Sequence, residues 1–242
     1  MTSLYIGTAG WSVPTRYAAE APGAGGHLAR YARRLNAVEI NTSFYRPHQR
    51  KTYERWAQTT PADFRFAVKA PRAMTHERRL ADCDALIERF ADEIAGLGEK
   101  LAVVLTQTPP SLRFDAERAG AFFNALQRRC AAPIVIEPRH RSWFSADVDD
   151  WLAKHRLARV VADPAPIVGA DEAGGWRDFA YYRWHGSPRI YCSKYDAAAL
   201  DALRQRLASE QARDHPVWCV FDNTAEGWAF GDALALTEKM RS

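Results

Sequence analysis

The sequence has few cysteines and no long apolar run. No apolar stretch approaches the ~20 residues of a membrane-spanning helix, and too few residues precede the first β-type run at Leu4 for a signal peptide. The cysteines show no C-x-x-C or other ligand-like spacing; they are Cys83, Cys130, Cys192 and Cys219. This spacing argues against a disulfide framework or a cysteine zinc site. We therefore expect a soluble cytoplasmic protein with buried thiols and no membrane partner.

The sequence also lacks the glycine-rich loops that bind nucleotide phosphates. Neither a G-x-G-x-x-G segment nor a P-loop follows any β-type run, and we predict no bound cofactor and no metal. The net charge is only +4, and much of the positive charge lies in helix-type runs such as RYARRL, which is typical of solvated helix faces. This balance suits a small anionic ligand and disfavours nucleic acid as a partner. The charge balance does not indicate which oligomeric state the protein adopts.

Eight β-type runs alternate with helix-type runs along the chain. They begin at Leu4, Ala37, Arg65, Leu101, Pro133, Ala158, Ala180 and Val217. This alternation predicts right-handed βαβ units and a parallel sheet. Eight units in 242 residues are typical of a single-domain (β/α)8 TIM-type barrel over residues 1–242, with an open doubly wound sheet as the structural alternative. The connection after the sixth run, PAPIVGADEAGGWRD, predicts an irregular loop.

Polar side chains gather at the C-terminal ends of the β-type runs. Because side chains alternate across a strand, Ile134 and Ile136 share one face of the fifth run, and Glu137 and Arg139 share the other. At the ends of the other runs we expect these residues at the same mouth: Glu39, Asn41, Lys69, Gln107, Asp163, Arg183, His185 and Asn223. In a barrel, active sites are built at the carboxyl ends of the strands.

Each of these charges could instead belong to a structural ion pair. Glu137 with Arg183 and Glu39 with Lys69 are the plausible pairs. A core does not tolerate so many charges without partners, because desolvating each one costs several kcal/mol. The set as a whole therefore favours a ligand-binding mouth.

Several residues near this set in the sequence could have either a binding or a structural role. Trp11 and Trp143 each follow a strand end, where they could line a pocket or cover the core. His76, in the segment PRAMTHERR, could be a loop ligand or a surface residue. We include these three residues and Tyr45 among the substrate-binding candidates. His140 has helix-facing parity and is predicted to be a structural hydrogen-bonding residue.

The strand-end segments resemble the motifs of one family. The segments IGTAGWS, VEINTSFYR, FRFAVKAPRAMTH, QTPPS, IEPRHRSW, RWHG and FDN occur in this order and are similar to those of the YecE-like family, domain of unknown function 72. The resemblance covers nearly the whole chain and implies a TIM-barrel fold in a cytoplasmic microbial protein, with no settled activity. The family's usual Phe-Asn-Asn is Phe221-Asp222-Asn223 here, and we expect Asp222 to face the helices.

The residue types at the mouth suit acid–base chemistry on an anion. Arg139, Arg183 and Lys69 are suited to a phosphate or carboxylate, because guanidinium forks bind such groups bidentately. Glu39 or Glu137 could serve as general base, His185 as the acid, and Lys69 as a base or Schiff-base nucleophile. The catalytic candidates are therefore Glu39, Lys69, Glu137 and His185. We hypothesise an isomerase, lyase or hydrolase that acts on a small phosphorylated or sugar-derived metabolite.

Two other functions stay open at this point. A metal-dependent isomerase or phosphodiesterase-like enzyme could use Glu39, Glu137, Asp163 and His185 as ligands, although the three cations at the same mouth would repel a divalent ion. A non-catalytic ligand- or nucleic-acid-binding protein is the other alternative, because one fold hosts many functions.

Overall fold

The computed structural model describes residues 4–241, in which strands and helices alternate along most of the chain. The strands are β1 (Leu4–Thr8), β2 (Ala37–Ile40), β3 (Arg65–Lys69), β4 (Leu101–Gln107), β5 (Ile134–Glu137), β6 (Leu157–Arg159), β7 (Val161–Asp163), β8 (Gly174–Gly175), β9 (Ala180–Trp184) and β10 (Val217–Phe221). The helices are α1 (His27–Tyr31), α2 (Arg50–Thr59), α3 (Asp84–Ile94), α4 (Ala116–Arg129), α5 (Ala146–Lys154), α6 (Ala197–Gln211) and α7 (Ala229–Arg241). Short helical turns follow several strand ends, among them Thr42–Phe44, Ala73–Glu77 and Arg141–Trp143.

Within residues 4–241 the hydrogen-bonded strands form two sheets rather than a closed ring. The first sheet has the order β1-β10-β9-β7 and is parallel throughout. The second has the order β2-β3-β4-β5-β6-β8 and is parallel except for β8. A parallel bridge between Ala9 and Glu39 lies where β1 and β2 meet. The protein thus has the α/β architecture and the parallel strands that the alternation of runs predicted.

The sixth β-type run is divided between the two sheets. β6 pairs with β5, whereas β7 pairs with β9 in the other sheet. Val160 separates the two segments, and its N–H donates to the carbonyl of Ile136 at 2.9 Å. The connection that follows contains β8, which lies antiparallel to β6 and which the sequence reading treated as loop.

Side-chain alternation gives the sheets two buried faces. One face carries an inner cluster drawn from both sheets: Ala37, Ala67, Val103, Leu105, Val135, Ala158, Val160, Phe179, Tyr181, Trp218 and Val220. Small residues on β2 and β3 share this cluster with aromatic residues of β9 and β10, where the rings of Tyr181 and Trp218 stack 5.8 Å apart. Combining small and large side chains in this way lets the two sheets approach without voids. The opposite face packs in a larger cluster that includes the helices.

The four cysteines are free thiols. Burial raises the pKa of both the Cys83 and the Cys130 thiol to about 11, which keeps them protonated and unreactive near neutral pH. Within residues 4–241, none of the helices combines the length and the apolar character needed to span a membrane.

Gly175 of β8 is predicted to be indispensable for the irregular connection. Its φ is +65°, and a Cβ there would lie 2.3 Å from the carbonyl oxygen of Leu157. We expect Gly175→Ala to lower the free energy of unfolding by about 2 kcal/mol or more, measured by urea denaturation. The control is Gly120→Ala in α4, where the nearest atom is 3.7 Å away and alanine should stabilise by about 0.5–1 kcal/mol. Equal stability of Gly175→Ala and the wild type would contradict this assignment.

Candidate functional site

The polar residues of the site lie two positions after residues of the inner cluster. The pairs are Ala37 with Glu39, Ala67 with Lys69, Leu105 with Gln107, Val135 with Glu137, Tyr181 with Arg183, and Val220 with Asp222. Residues two apart on a strand project from the same face, so burial of the apolar member directs the polar one. The inner cluster is therefore the floor of a charged cluster made of Glu39, Lys69, Glu137, Arg139, Arg183, His185 and Asp222.

Arg183 of β9 is the centre of the charged cluster. Its Nε and Nη2 donate to the two carboxylate oxygens of Glu39 at 3.0 and 2.7 Å, and its Nη1 donates to Glu137 Oε2 at 2.7 Å. Its Nη2 also donates to Asp222 Oδ2 at 3.0 Å. Arg183 and Glu39 are almost completely buried. The guanidinium thus joins strands of both sheets, and the structural pairing of Glu137 with Arg183 is present.

His185 lies between two of these carboxylates. Its Nε2 is 2.9 Å from Glu137 Oε1, and its Nδ1 is 3.1 Å from Asp222 Oδ2. Burial would lower the pKa of His185, but the charge of Glu137 and the hydrogen bonds to both carboxylates raise it above its ordinary value. The two carboxylates therefore shift the protonation equilibrium of His185 toward the imidazolium.

The cations of the charged cluster stabilise the ionised forms of Glu137 and Asp222. Burial by itself would raise the pKa of Glu137, but Arg183, Arg139 and His185 together lower it well below its usual range. Arg183 and His185 likewise lower the pKa of Asp222 against the effect of burial. Glu39 also accepts a hydrogen bond from Tyr181 Oη at 2.9 Å.

Lys69 differs from the other cations of the cluster because its amine has no ion-pair partner among the described residues. The Glu39–Lys69 pair that the sequence left open is not formed, since Glu39 pairs with Arg183 instead. The Lys69 Nζ lies 4.3 Å from the centre of the Phe44 ring. Burial and the charge of Arg183 lower the pKa of Lys69 to about 8, although the nearby carboxylates partly oppose that shift. A substantial fraction of the amine is therefore neutral near physiological pH.

Arg139 and Gln107 border Glu137. Arg139 Nη2 donates to Glu137 Oε1 and lies 3.1 Å from His185 Nε2. Arg139 Nε is buried without a hydrogen-bond partner in the described part of the chain. Gln107, at the end of β4, is in register with Glu137 of β5. Arg139 thus keeps an unused donor at the edge of the cluster.

Trp11, Asn41 and Tyr45 lie together, but in a separate cleft of about 510 Å³ between the ends of β1 and β2. His76 lies in the turn Ala73–Glu77, and its ring packs edge-on against Phe44 with centroids 5.0 Å apart. Burial, assisted by the charges of Lys69 and Arg72, lowers the pKa of His76. Phe44 therefore contacts both His76 and the Lys69 amine.

Three candidate residues point away from the charged cluster. Trp143 is fully buried, and its Nε1 donates to the carbonyl of Leu112 at 2.9 Å. Asp163 accepts a hydrogen bond from Tyr195 Oη at 2.7 Å. Asn223 Nδ2 donates to Asp232 Oδ2 at 2.7 Å, which anchors the start of α7. The expectation that these side chains face the mouth is therefore corrected: they belong to the packing around it.

Asp222 belongs to the charged cluster, although it is not among the site residues predicted from the sequence. The expectation that it faces the helices is wrong, because its carboxylate bonds Arg183 and His185. The signal was present in β10, where Trp218 and Val220 are inner residues while Cys219 and Phe221 face the helix side. Because side chains alternate along a strand, Asp222, two positions after Val220, points to the inner face. Asn223, two positions after Phe221, points to the helix side. His140, by contrast, is the structural residue expected, since its Nδ1 accepts from the N–H of Ser142 at 3.1 Å.

The acidic residues of the cluster are poorly placed to hold a metal ion. Within residues 4–241, no three His, Cys, Asp or Glu side chains converge as a ligand set. Both oxygens of Glu39 and Glu137 are engaged by Arg183 or its neighbours. A divalent ion would have to displace the buried guanidinium from them.

Comparison with known proteins places the chain among relatives without an assigned activity. Residues 5–242 match the sequence profile of the family described as "Protein of unknown function DUF72". The UPF0759 protein YunF of Bacillus subtilis is 31% identical, over 97% of this chain and 94% of that protein. The UPF0759 protein YecE of Escherichia coli is 27% identical, over 69% of this chain, and the match spans 61% of the length of YecE.

Two solved structures share the fold. A DUF72 family protein of Enterococcus faecalis superposes with a TM-score of 0.83 at 19% identity, over 99% of this chain and 96% of that one. A DUF72 family protein of Thermotoga maritima superposes with a TM-score of 0.80 at 23% identity, over 99% and 100% of the two chains. At these identities the similarity establishes the architecture alone.

Removal of the central guanidinium should unfold the site. Arg183→Met leaves three buried carboxylates without their shared partner, and we expect a loss of about 3–5 kcal/mol in the free energy of unfolding at neutral pH. In the variant Glu39 loses its ion-pair partner, whereas Glu137 keeps Arg139 and His185, and Asp222 keeps His185. Burial then raises the pKa values of Glu137 and Asp222 with less opposition from cations. The penalty for burying the carboxylates disappears as they become protonated, and the loss should therefore shrink at about pH 5. Urea denaturation at both pH values measures this.

The matched control is Arg50→Met, which removes an exposed arginine paired with Glu54 in α2. Such surface pairs contribute about 0–1 kcal/mol, so this variant should stay close to the wild type at both pH values. An Arg183→Met variant as stable as Arg50→Met would contradict the central role of Arg183.

Asp222 should control the protonation of His185. Asp222→Asn keeps the shape of the side chain but removes the negative charge at Nδ1, so we expect the pKa of His185 to fall. In the wild type, the stability contributed by the raised pKa is present below the ordinary value of 6.5 and is lost as the pH rises through the folded value. Imidazole NMR titration of both proteins measures the shift; an unchanged pKa of His185 would show that Glu137 alone sets it.

Proposed function

Because this chain belongs to the DUF72 family, whose description states no function, we propose its activity from the site itself: an isomerase, lyase or hydrolase that acts on a small anionic, phosphorylated or sugar-derived metabolite. The proposed reaction centre is the charged cluster at the carboxyl ends of the strands. We propose in addition that the two sheets are parts of one (β/α)8-type barrel with this cluster at its mouth, and that the protein works in the cytoplasm.

The observation that carries this proposal is the state of the Lys69 amine. It lies in a cluster where each carboxylate is already paired with Arg183, while the amine itself has no ion pair. Its pKa of about 8 makes it both a proton donor and a proton acceptor near neutral pH. A lysine that served only to balance charge would lie beside a carboxylate and carry a raised pKa.

An anionic ligand suits the unused donors of the cluster. Lys69 offers its amine, and Arg139 offers the buried Nε that has no partner within residues 4–241. Arg183, in contrast, donates its hydrogen bonds to Glu39, Glu137 and Asp222, so its role in this proposal is to position the site and not to hold the substrate. A phosphate or carboxylate group would satisfy the remaining donors by charge-assisted hydrogen bonds.

Proton transfer is divided between two parts of the cluster in this proposal. The neutral Lys69 amine takes a proton from the substrate or adds to its carbonyl carbon. Glu137 and His185 form the second pair that carries a proton, since Glu137 Oε1 and His185 Nε2 are only 2.9 Å apart. Glu39 has no free oxygen and serves to orient Arg183.

Neither alternative function has a comparable observation in its favour. A metal-dependent enzyme would need Glu39 and Glu137 as ligands, and both are committed to Arg183. Asp163, the third proposed ligand, accepts from Tyr195 instead. A purely ligand-binding protein would use the same cations, and turnover separates that case from an enzyme.

Substitutions at Lys69 test the enzymatic proposal. Metabolites that raise the melting temperature in a library of sugar phosphates and carboxylates are followed for turnover by NMR. We expect Lys69→Met to lower turnover by about 10²–10⁴-fold, as for loss of a general base. Wild-type turnover should rise with pH through about 8, because the neutral amine is the active form. Glu137→Gln should lose turnover as well.

The controls separate chemistry from folding and from anion binding. Lys69→Met removes a buried charge, so the variant should be at least as stable as the wild type at neutral pH. Lys69→Arg keeps the positive charge but cannot supply a neutral amine, so it should retain ligand binding and lose turnover. Full turnover in Lys69→Arg would refute the proposed role of the amine.

A further inference from the structure

The cleft between the ends of β1 and β2 differs in chemistry from the charged cluster. Its volume is about 510 Å³, and Gly10, Trp11, Ser12, Asn41, Thr42 and Tyr45 are among its lining residues. The remaining lining residues are Ala9 and His27, so the cleft has no Asp, Glu, Lys or Arg in its lining. Gly10 has a φ of +79° and no atom within 4 Å of its Cβ position, so it shapes the backbone and leaves the cleft open. This cleft suits an uncharged part of a ligand.

Two braced aromatic rings border the cleft. Trp11 packs edge-on against Trp56 with centroids 4.9 Å apart, and Trp56 in turn packs on Tyr53 at 5.2 Å. Tyr45 packs edge-on against Phe44 at 5.0 Å, yet 69% of it is exposed to solvent. Aromatic side chains fixed from behind and open at the front are characteristic of a binding surface.

The cleft also contains an acceptor without a donor. Asn41 Oδ1 is buried and has no hydrogen-bond partner within residues 4–241. Burying such a group is unfavourable unless a donor meets it, and buried polar atoms in native proteins nearly always have one. A ligand O–H or N–H group would supply the donor.

The cleft adjoins the charged cluster through both strands. Ala9, which lines it, forms a bridge with Glu39, and the N–H of Gly10 donates to the Glu39 carbonyl at 2.8 Å. The Phe44 ring contacts both the Tyr45 ring and the Lys69 amine. The cleft therefore adjoins the charged cluster along β2 and the turn that follows it.

We propose that this cleft binds the uncharged, hydroxyl-bearing ring of a sugar, whose anionic end extends to the charged cluster. This inference rests on the proposed function and names the other half of its substrate. A sugar ring offers C–H faces to Trp11 and Tyr45, and its hydroxyl groups can donate to Asn41 Oδ1. The same hydroxyls can pair with those of Ser12 and Thr42, because hydroxyl groups both donate and accept.

Neutral methyl glycosides test the cleft without its charged neighbour. Saturation-transfer NMR with the methyl pyranosides and furanosides of the common hexoses and pentoses should show binding to the wild type. Asn41→Leu removes the acceptor and keeps a similar volume, so we expect binding to weaken by about tenfold or more. The same substitution should not lower the melting temperature, because it removes a buried atom without a partner. A purely structural asparagine would show the opposite pair of results.

The matched control is Thr106→Val, which removes another buried side-chain oxygen that has no partner within residues 4–241, the hydroxyl of Thr106 on β4. It should leave glycoside binding unchanged. Trp11→Ala should weaken binding as Asn41→Leu does. The inference is overturned if no methyl glycoside binds, if binding persists in both cleft variants, or if uridine or adenosine binds in their place.

Lys69→Met distinguishes failure of this inference from failure of the proposed function. Methyl glycosides carry no anionic end, so they should bind Lys69→Met as well as the wild type. Glycoside binding without any Lys69-dependent turnover would support the sugar cleft and contradict the proposed enzymatic function. Lys69-dependent turnover of anionic metabolites without glycoside binding would support the enzymatic function and contradict the sugar cleft.

Discussion

The site depends on one guanidinium that is shared by three buried carboxylates. Arg183 comes from β9, and its partners come from β2, from β5 and from the residue after β10, so the network crosses from one sheet to the other. Removing charges from water on this scale is costly, and the cost is offset only when nearly every donor and acceptor is paired. Arg183 meets that condition with bonds from Nε, Nη1 and Nη2. The relative placement of the two sheets at this end follows from the same bonds.

The four hydrogen bonds that Arg183 donates to carboxylates determine which other groups remain available for chemistry. The three carboxylates are hydrogen-bonded to Arg183, and His185 is held between two of them. The Lys69 amine and the Nε of Arg139 are left as the donors without a partner in the described chain, and both border the cluster from neighbouring positions. The guanidinium that lowers the pKa of Lys69 is thus also the one that withholds the carboxylates from it. A structural ion network and a reactive amine are consequences of one arrangement.

The apolar floor and the charged cluster are linked by the two-residue period of the strands. Ala67 lies below Lys69, Val135 below Glu137 and Tyr181 below Arg183, so packing within the inner cluster aims each polar side chain. The charged groups therefore come from the strands or from the first two residues after them, while the aromatic cleft next to them is lined mainly by the segments after β1 and β2. That division suits a site in which strands hold the reacting groups and loops select the ligand.

The alternating α/β architecture and most of the charged cluster could be predicted from the sequence, because they depend on local periodicity, and the family could be predicted from the resemblance of the ordered strand-end motifs. Glu137, Arg139, Arg183 and His185 were reached by counting along single strands, and the same count in β10 would have found Asp222. Tertiary structure alone decided the partners: Glu39 and Arg183 are 144 positions apart, and no local pattern states that they bond to each other while Lys69 stays unpaired. Tertiary structure also determines that the sixth run is divided between two sheets and that Asn41 Oδ1 is buried without a hydrogen-bond partner within residues 4–241. Side-chain period is a property of each strand, whereas pairing and desolvation are properties of strands brought together from across the chain.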